Sequence, residues 1–262
     1  MMPSPDDWTA IAAAAESAAS TFLDGVAGTE NKLTEGFDPV TEADRSIERA
    51  VRAVLAERFP GDAILGEEYG ARDGGTGRRW VIDPIDGTRA FISGIPVWMT
   101  LVGLEVNGRS LAGLAIQPVT GERYLARGGA ASRHYRGGVR ALATTDRPPG
   151  ESILMTVDPH LMTGPSAAAF DEMRRAVRLV RYSADAYAFC ALAAGHVQIV
   201  VERGVQPYDV GALIPIVEAA GGVMTTWDGA RPEGGGDVVA AASASLHEWA
   251  LGQLRDVVSS AH

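Results

Sequence analysis

The sequence predicts a layered α/β protein, and three observations carry that prediction. Beyond residue 150, short β-branched apolar runs alternate with longer runs of helical periodicity, a pattern that builds sheets covered by helices. Between residues 97 and 116, two apolar runs flank Asn107-Gly108, the pair that a two-residue hairpin turn favours. The chain has 262 residues, 46% of them hydrophobic, enough to bury a large core as one or two domains.

The elements follow from the punctuation. An alanine-rich helix is expected over residues 8–23, closing near Gly25, with a polar loop at 31–37. A second helix opens at Thr41 on the apolar positions Ile47, Val51, Val54 and Leu55 and stops at Pro60-Gly61. Ala63-Ile64-Leu65 reads as a short strand. Residues 72–79 read as a loop, because Gly74, Gly75 and Gly77 fall there. Strands then follow at 80–82, 97–106, 111–116 and 124–126. Residues 128–150, rich in Gly, Arg and Pro, are the candidate join between an N-terminal α+β half (1–135) and a C-terminal α/β half (136–262). The second half reads as strand 153–157, helix 167–177, a helix from about Ser183, strand 197–201 and a helix around Asp209. Pro215 lies inside that last helix and predicts a kink rather than a stop. Strands at 223–226 and 238–241 precede a final helix ending near Ser259.

Composition narrows the function. A formal net charge of −10 argues against nucleic acid as a partner, because phosphate backbones require clustered Lys and Arg. The single cysteine, Cys190, sits in the apolar run Tyr187-Ala188-Phe189-Cys190-Ala191-Leu192, so no disulfide framework is expected and a reducing cytoplasm fits. The start lacks the basic-then-apolar order of a signal peptide, and no apolar run approaches the ~20 residues that span a bilayer. A cytoplasmic protein without membrane contact is expected.

Chemistry concentrates in four acidic segments. In Trp80-Val81-Ile82-Asp83-Pro84-Ile85-Asp86-Gly87-Thr88, two carboxylates stand three residues apart where an apolar strand meets a glycine turn. Pro84 fixes one dihedral and keeps Asp83 out of helical geometry. Hard oxygen donors on so rigid a corner suit Mg²⁺, and Gly87 and Thr88 offer the N–H groups and hydroxyl of a phosphate site. Asp-Pro and Asp-Gly are also ordinary turn chemistry. Gly66-Glu67-Glu68-Tyr69-Gly70 follows a strand, and its acids either meet a cation or pair with an arginine at the surface. Asp44 stands three residues after Thr41, the spacing of a capping box, and Asp209 in Pro207-Tyr208-Asp209-Val210 reads as an N-cap. Each segment is explicable alone; together they are harder to dismiss.

In this order and at these separations, the four segments resemble the signature set of the inositol monophosphatase family. The likeness runs from about Asn31 to about Thr226. It implies the five-layer αβαβα sandwich of the inositol monophosphatase and fructose-1,6-bisphosphatase type. It also implies Mg²⁺-dependent hydrolysis of small phosphomonoesters, with two or three ions per site, Mn²⁺ able to substitute, and a homodimer. Carried over by position, Glu67, Asp83 and the main-chain carbonyl of Ile85 hold one ion. Asp83, Asp86 and Asp209 hold a second, and Glu67 with Asp44 serves a third. The first half thus carries most of the ligands. The physical logic stands beside the resemblance: a dianionic phosphate repels hydroxide until cations neutralise its oxygens and acidify the attacking water. Glu67 is the expected general base, Thr88 its partner in orienting water, and the N–H groups of Gly87 and Thr88 the phosphate grip. The histidines (His134, His160, His196, His247, His262) are scattered without ligand spacing.

Substrate choice rests on local detail. Arg89-Ala90-Phe91-Ile92-Ser93-Gly94-Ile95-Pro96-Val97-Trp98, the opening Glu30-Asn31-Lys32, and Tyr208 before Asp209 are similar to the histidinol-phosphate phosphatase branch. That branch usually shows Asp-Cys-Tyr where this chain has Asp185-Ala186-Tyr187. By position, Asp185 and Glu202, with Arg89, should face the organic half of the substrate. Salt bridges from Glu202 to Arg203 or Arg181, or from Arg89 to a surface acid, are the alternatives. Histidinol phosphate is the leading substrate, with inositol 1-phosphate or another sugar or nucleotide monophosphate behind it. Some members of the family act as regulators that bind other proteins, so a regulatory binding protein on the same scaffold is the alternative of another class.

Overall fold

The computed structural model describes residues 2–23, 30–31 and 39–259, so the expected loop at 31–37 lies almost wholly outside it. Helix α1 (Pro5–Ser20) starts earlier than its apolar periodicity suggests, because Ser4 and Asp7 form a capping box ahead of Trp8. Two short strands, β1 (Glu30–Asn31) and β2 (Pro39–Val40), pair antiparallel before α2 (Glu42–Arg58). Then come β3 (Ala63–Gly66), β4 (Gly70–Arg72), β5 (Arg78–Asp86), the single turn α3 (Thr88–Ile92), β6 (Met99–Val106), β7 (Arg109–Gln117), β8 (Glu122–Arg127), β9 (Ala130–Tyr135) and β10 (Gly138–Ala141). These strands form an eight-stranded sheet in the order β10-β9-β8-β7-β6-β5-β3-β4, antiparallel except where β3 runs along β5. Asn107 (φ 51°) and Gly108 (φ 75°) turn β6 into β7 with both central residues left-handed, as the sequence predicts.

The second half contains β11 (Ile153–Thr156), α4 (Pro165–Ala176), β12 (Leu179–Tyr182), α5 (Ala186–Ala193), β13 (Ile199–Val205), α6 (Pro207–Val210), α7 (Leu213–Ala219), β14 (Val223–Thr226), β15 (Gly236–Ala241) and α8 (Ala244–Ser259). Its five-stranded sheet runs β12-β11-β13-β15-β14, with β11 parallel to both its neighbours.

Strand alternation sorts the side chains into three cores and thereby stacks the layers. Trp8, Ile11, Ile47 and Val51 from α1 and α2 pack on Ile82, Val102 and Leu104 of the first sheet. The other face of that sheet, through Leu101 and Ala115, meets Phe189, Leu192, Ile214 and Val217 of α5 and α7 and then Val200 and Ala240 of the second sheet. The neighbours Ile199, Val201, Val239 and Ala241 point the opposite way, onto Phe170 and Met173 of α4 and Leu246 and Ala250 of α8. Helices, sheet, helices, sheet and helices make the five-layer αβαβα sandwich. Among the described residues, no helix is long and apolar enough to cross a membrane.

Three expectations need correction. The stretch 128–150 is not simply a join: it holds the hairpin β9–β10, which extends the first sheet, so the passage between sheets lies at 142–152. The helix placed from about Ser183 starts only at Ala186, because Ser183 (φ 59°) and Asp185 (φ 45°) are left-handed. The Asp209 helix is broken, not kinked. Pro215 has no N–H for the Gly211 carbonyl four residues back, and the chain divides there into α6 and α7, with Pro215 in the first turn of α7.

That break packs against the first sheet with no room to spare. A Cβ on Gly113 would stand 2.0 Å from the Ala212 carbonyl oxygen, and one on Gly103 would stand 2.6 Å from the Gly211 carbonyl carbon. Two glycines, one in β6 and one in β7, are thus what lets the break between α6 and α7 lie against the first sheet.

Candidate functional site

The site begins with a fault in a strand. On regular β structure, residues three apart point to opposite faces. Asp83 pairs with Leu101 but Asp86 pairs with Met99, so β5 spends three steps where β6 spends two. This bulge turns both carboxylates to one side. The Pro84 carbonyl, buried within the bulge, accepts from the Thr100 hydroxyl at 2.7 Å.

Asp209 arrives from the other half. It is the third residue of α6 rather than its N-cap: its Oδ2 accepts the Gln206 N–H at 2.7 Å. Asp83, Asp86 and Asp209 each place a carboxylate oxygen within 4.8 Å of the others. Asp44 repeats the same device at α2, where its Oδ2 accepts the Thr41 N–H at 2.8 Å and the Thr41 hydroxyl at 2.5 Å. The capping explanation is therefore true of Asp44.

Glu67 and Asp44 are not members of the three-carboxylate cluster, yet they adjoin it. Asp83 lies within hydrogen-bonding reach of Glu67 and Asp209, and the Glu67 charge acts on Asp44. The turn carrying Glu67 is held from α2 by the buried Glu48, whose Oε2 accepts the Glu68 N–H at 2.8 Å and whose Oε1 accepts the Tyr69 N–H at 3.3 Å. Glu48 stands beside Ile47 on the apolar stripe of that helix, four residues after Asp44, and that placement is readable in the sequence.

Thr88 opens α3, and its hydroxyl donates to the Ile85 carbonyl at 3.0 Å. That carbonyl keeps a second lone pair, and Thr88 keeps its own lone pairs. Gly87 is left-handed (φ 87°), and a Cβ there would stand 3.0 Å from Asp185 Oδ2. Asp185 stands in front of α5, with the Arg89 charge acting on it. Glu202 does not pair with Arg203, which turns to Asp237 at 3.4 Å. Its oxygens instead accept the Val157 N–H at 2.8 Å and the Thr156 hydroxyl at 3.2 Å, bridging β13 to β11. Asp86, Asp185, Ala186, Glu202 and Asp209 line one cleft of about 170 Å³.

So many buried acids repel protons' departure. Burial first, then the charges of Glu67, Asp86 and Asp209, pushes Asp83 well above the usual carboxylate range; burial with Asp185 and Asp209 does the same to Asp86. Burial raises Asp209 to about 7, Asp44 to about 6 and Asp185 to about 6. Burial also lifts Glu202 to about 8. A divalent cation fits this donor set on one further observation: Asp83 Oδ1 is buried and has no hydrogen-bond donor. An orphaned oxygen among like charges is costly unless a cation occupies the centre.

Two contacts escaped the sequence reading. The Ala186 N–H donates to Asp86 Oδ2 at 2.5 Å, and the Tyr187 hydroxyl donates to Glu122 at 2.8 Å, anchoring α5 to the first sheet. Neither has a sequence signal, because both depend on how the halves meet.

The fold and the sequence both have known counterparts. The inositol monophosphatase family pattern matches residues 4–259. A histidinol-phosphatase of Chlorobaculum parvum is 37% identical over 191 residues, 73% of this chain and 73% of its own length. The chloroplastic bifunctional phosphatase IMPL2 of Arabidopsis thaliana is 36% identical over 232 residues, and the match spans 84% of this chain and 66% of that protein. The solved structure of an inositol monophosphatase from Zymomonas mobilis superposes with a TM-score of 0.81 at 34% identity, covering 97% of this chain and 100% of that one. Likeness over nearly the whole length and a shared architecture thus converge, and the chain belongs to the inositol monophosphatase family of phosphatases.

Proposed function

We propose that the chain is a Mg²⁺-dependent phosphomonoesterase whose substrate is histidinol phosphate. The observation that carries the phosphatase reading is the convergence of Asp83, Asp86 and Asp209, with one Asp83 oxygen buried and undonated. Those three, with Glu67, the Ile85 carbonyl and Asp44 at the margin, would hold the cations. Bound there, Mg²⁺ supplies neutralising charge for the phosphate oxygens and acidifies water. Glu67 takes the proton of the attacking water as general base. The Thr88 hydroxyl, committed as donor to Ile85, accepts from that water and so turns a water lone pair toward phosphorus. The N–H of Thr88, first in α3 and without an intrahelical acceptor, joins that of Gly87 in gripping a phosphate oxygen.

The alcohol half of the substrate meets Asp185 and Glu202, which share the cleft with Asp86 and Asp209. Two carboxyl groups there suit histidinol, which carries an ammonium and an imidazole. The histidinol-phosphatase name of the Chlorobaculum relative supports the same choice. A second reading, inositol or another sugar phosphate, is favoured by Ala186, a cleft residue where the histidinol branch usually has cysteine. Glu202→Gln separates them. If the acid reads the ammonium, KM for histidinol phosphate rises with kcat nearly unchanged, while inositol 1-phosphate hydrolysis is spared. Equal losses on both substrates would move the assignment to the sugar phosphate.

A further inference from the structure

A cavity of about 280 Å³ opens at the far end of the second sheet from the acidic cleft. Gln198, 1% exposed, lies against it just before β13. Its Oε1 accepts the Ile153 N–H at 3.0 Å, and this fixes the amide: a backbone N–H requires an acceptor, so Nε2 faces away from Ile153. Among the described residues, that Nε2 donates to no protein acceptor and reaches the solvent of the cavity. Arg147 and Arg178 stand at the rim, and neither guanidinium has an ion pair or hydrogen bond among the described residues. The His196 imidazole lies beside them, and Glu151 is the lone acid.

We infer that this cavity is a binding site for a small oxyanion, a phosphate or carboxylate of metabolite size, separate from the acidic cleft. Two unpaired guanidiniums give charge-assisted bonds to an anion's oxygens, with forked geometry that suits carboxylate and phosphate alike. The fixed Gln198 amide supplies a neutral donor beneath them, with no protein acceptor competing for it among the described residues. With Glu151 as the one carboxylate in the wall, the two guanidiniums leave the cavity with an excess of positive charge. Its place adds a consequence. Ile153 opens β11 and Gln198 precedes β13, and the same two strands lead to Val157 and Glu202 in the acidic cleft, about 13 Å away at the rise of a strand. An anion held by Gln198 grips the strands that carry the cleft's wall.

The test follows the Gln198 side-chain amide by NMR in the isotope-labelled, Mg²⁺-loaded protein, assigned with Gln198→Met. Methylphosphonate and acetate are titrated as the phosphate and carboxylate arms, with acetamide as the neutral control. The expected result is a saturable shift with at least one anion and none with acetamide, the tighter arm naming the class. Combined Arg147→Gln and Arg178→Gln should weaken binding by roughly tenfold or more, as loss of charged donors does, with the melting temperature kept. Asp83→Asn should leave the shift intact. No saturable shift with either anion overturns the proposal. So does a shift that survives the double substitution, or one that disappears with Asp83→Asn and so belongs to the acidic cleft.

Discussion

The Ala186 N–H and the Asp86 carboxylate meet at 2.5 Å, so the first turn of α5 in one half holds an acid at the end of β5 in the other. Each half is thus incomplete alone. The bulge aims Asp83 and Asp86, the notch at Gly103 and Gly113 admits Asp209, and α5 steadies Asp86.

Asp86→Asn keeps the shape and the acceptor for Ala186 but removes one of the clustered charges. Without divalent cation the variant should melt higher than the parent, by roughly 2–4 °C for each kcal/mol of repulsion relieved. Phosphatase activity should fall by orders of magnitude. Calorimetry in EDTA beside a phosphate-release assay reads both; a lower melting temperature in EDTA would show that the acids do not repel one another.

Gly113→Ala places a methyl where the Ala212 carbonyl oxygen now lies. Overpacking of this kind costs about 1–3 kcal/mol or more. Because the displaced segment carries Asp209, cation affinity should fall along with stability. Gly113→Ala with parental cation affinity would show that α6 is positioned by something else.

Thr88→Ala removes the hydroxyl that spans from α3 to the Ile85 carbonyl. If that hydroxyl orients water, kcat drops by roughly 10²–10⁴ with little change in melting temperature. A loss of stability with normal kcat would reduce Thr88 to a turn residue.

Glu202 supplies a pH test. Its carboxyl is raised to about 8 by burial, so the folded protein holds that proton more tightly than the unfolded chain does. Its contribution to stability is complete below the ordinary glutamate range and is lost as pH rises through about 8. Glu202→Gln, neutral at every pH, should flatten that decline. Urea unfolding at acid, neutral and mildly alkaline pH, on parent and variant, measures the slopes; identical slopes would place the titration elsewhere.

Local signals announced much of this architecture. The Thr41–Asp44 capping box, the Asn107-Gly108 turn and the alternation of strands and helices after residue 150 are all present. The hairpin β9–β10 was illegible because β10 is exposed along its whole length and shows no apolar alternation. Edge strand β12, largely exposed, hid for the same reason. Asp83 and Asp86 stood out by residue type, but their common facing depends on a bulge set by pairing with β6. The partners of Glu202 could not be foreseen either, since Thr156 and Val157 come beside it only when β11 and β13 align.

The most direct measurement is phosphate release from histidinol phosphate with Mg²⁺, with EDTA, and with Asp83→Asn. The account predicts turnover with Mg²⁺, none in EDTA until Mg²⁺ is restored, and a loss of several orders of magnitude in the folded variant. Full turnover in EDTA, or an Asp83→Asn enzyme as fast as its parent, would contradict it.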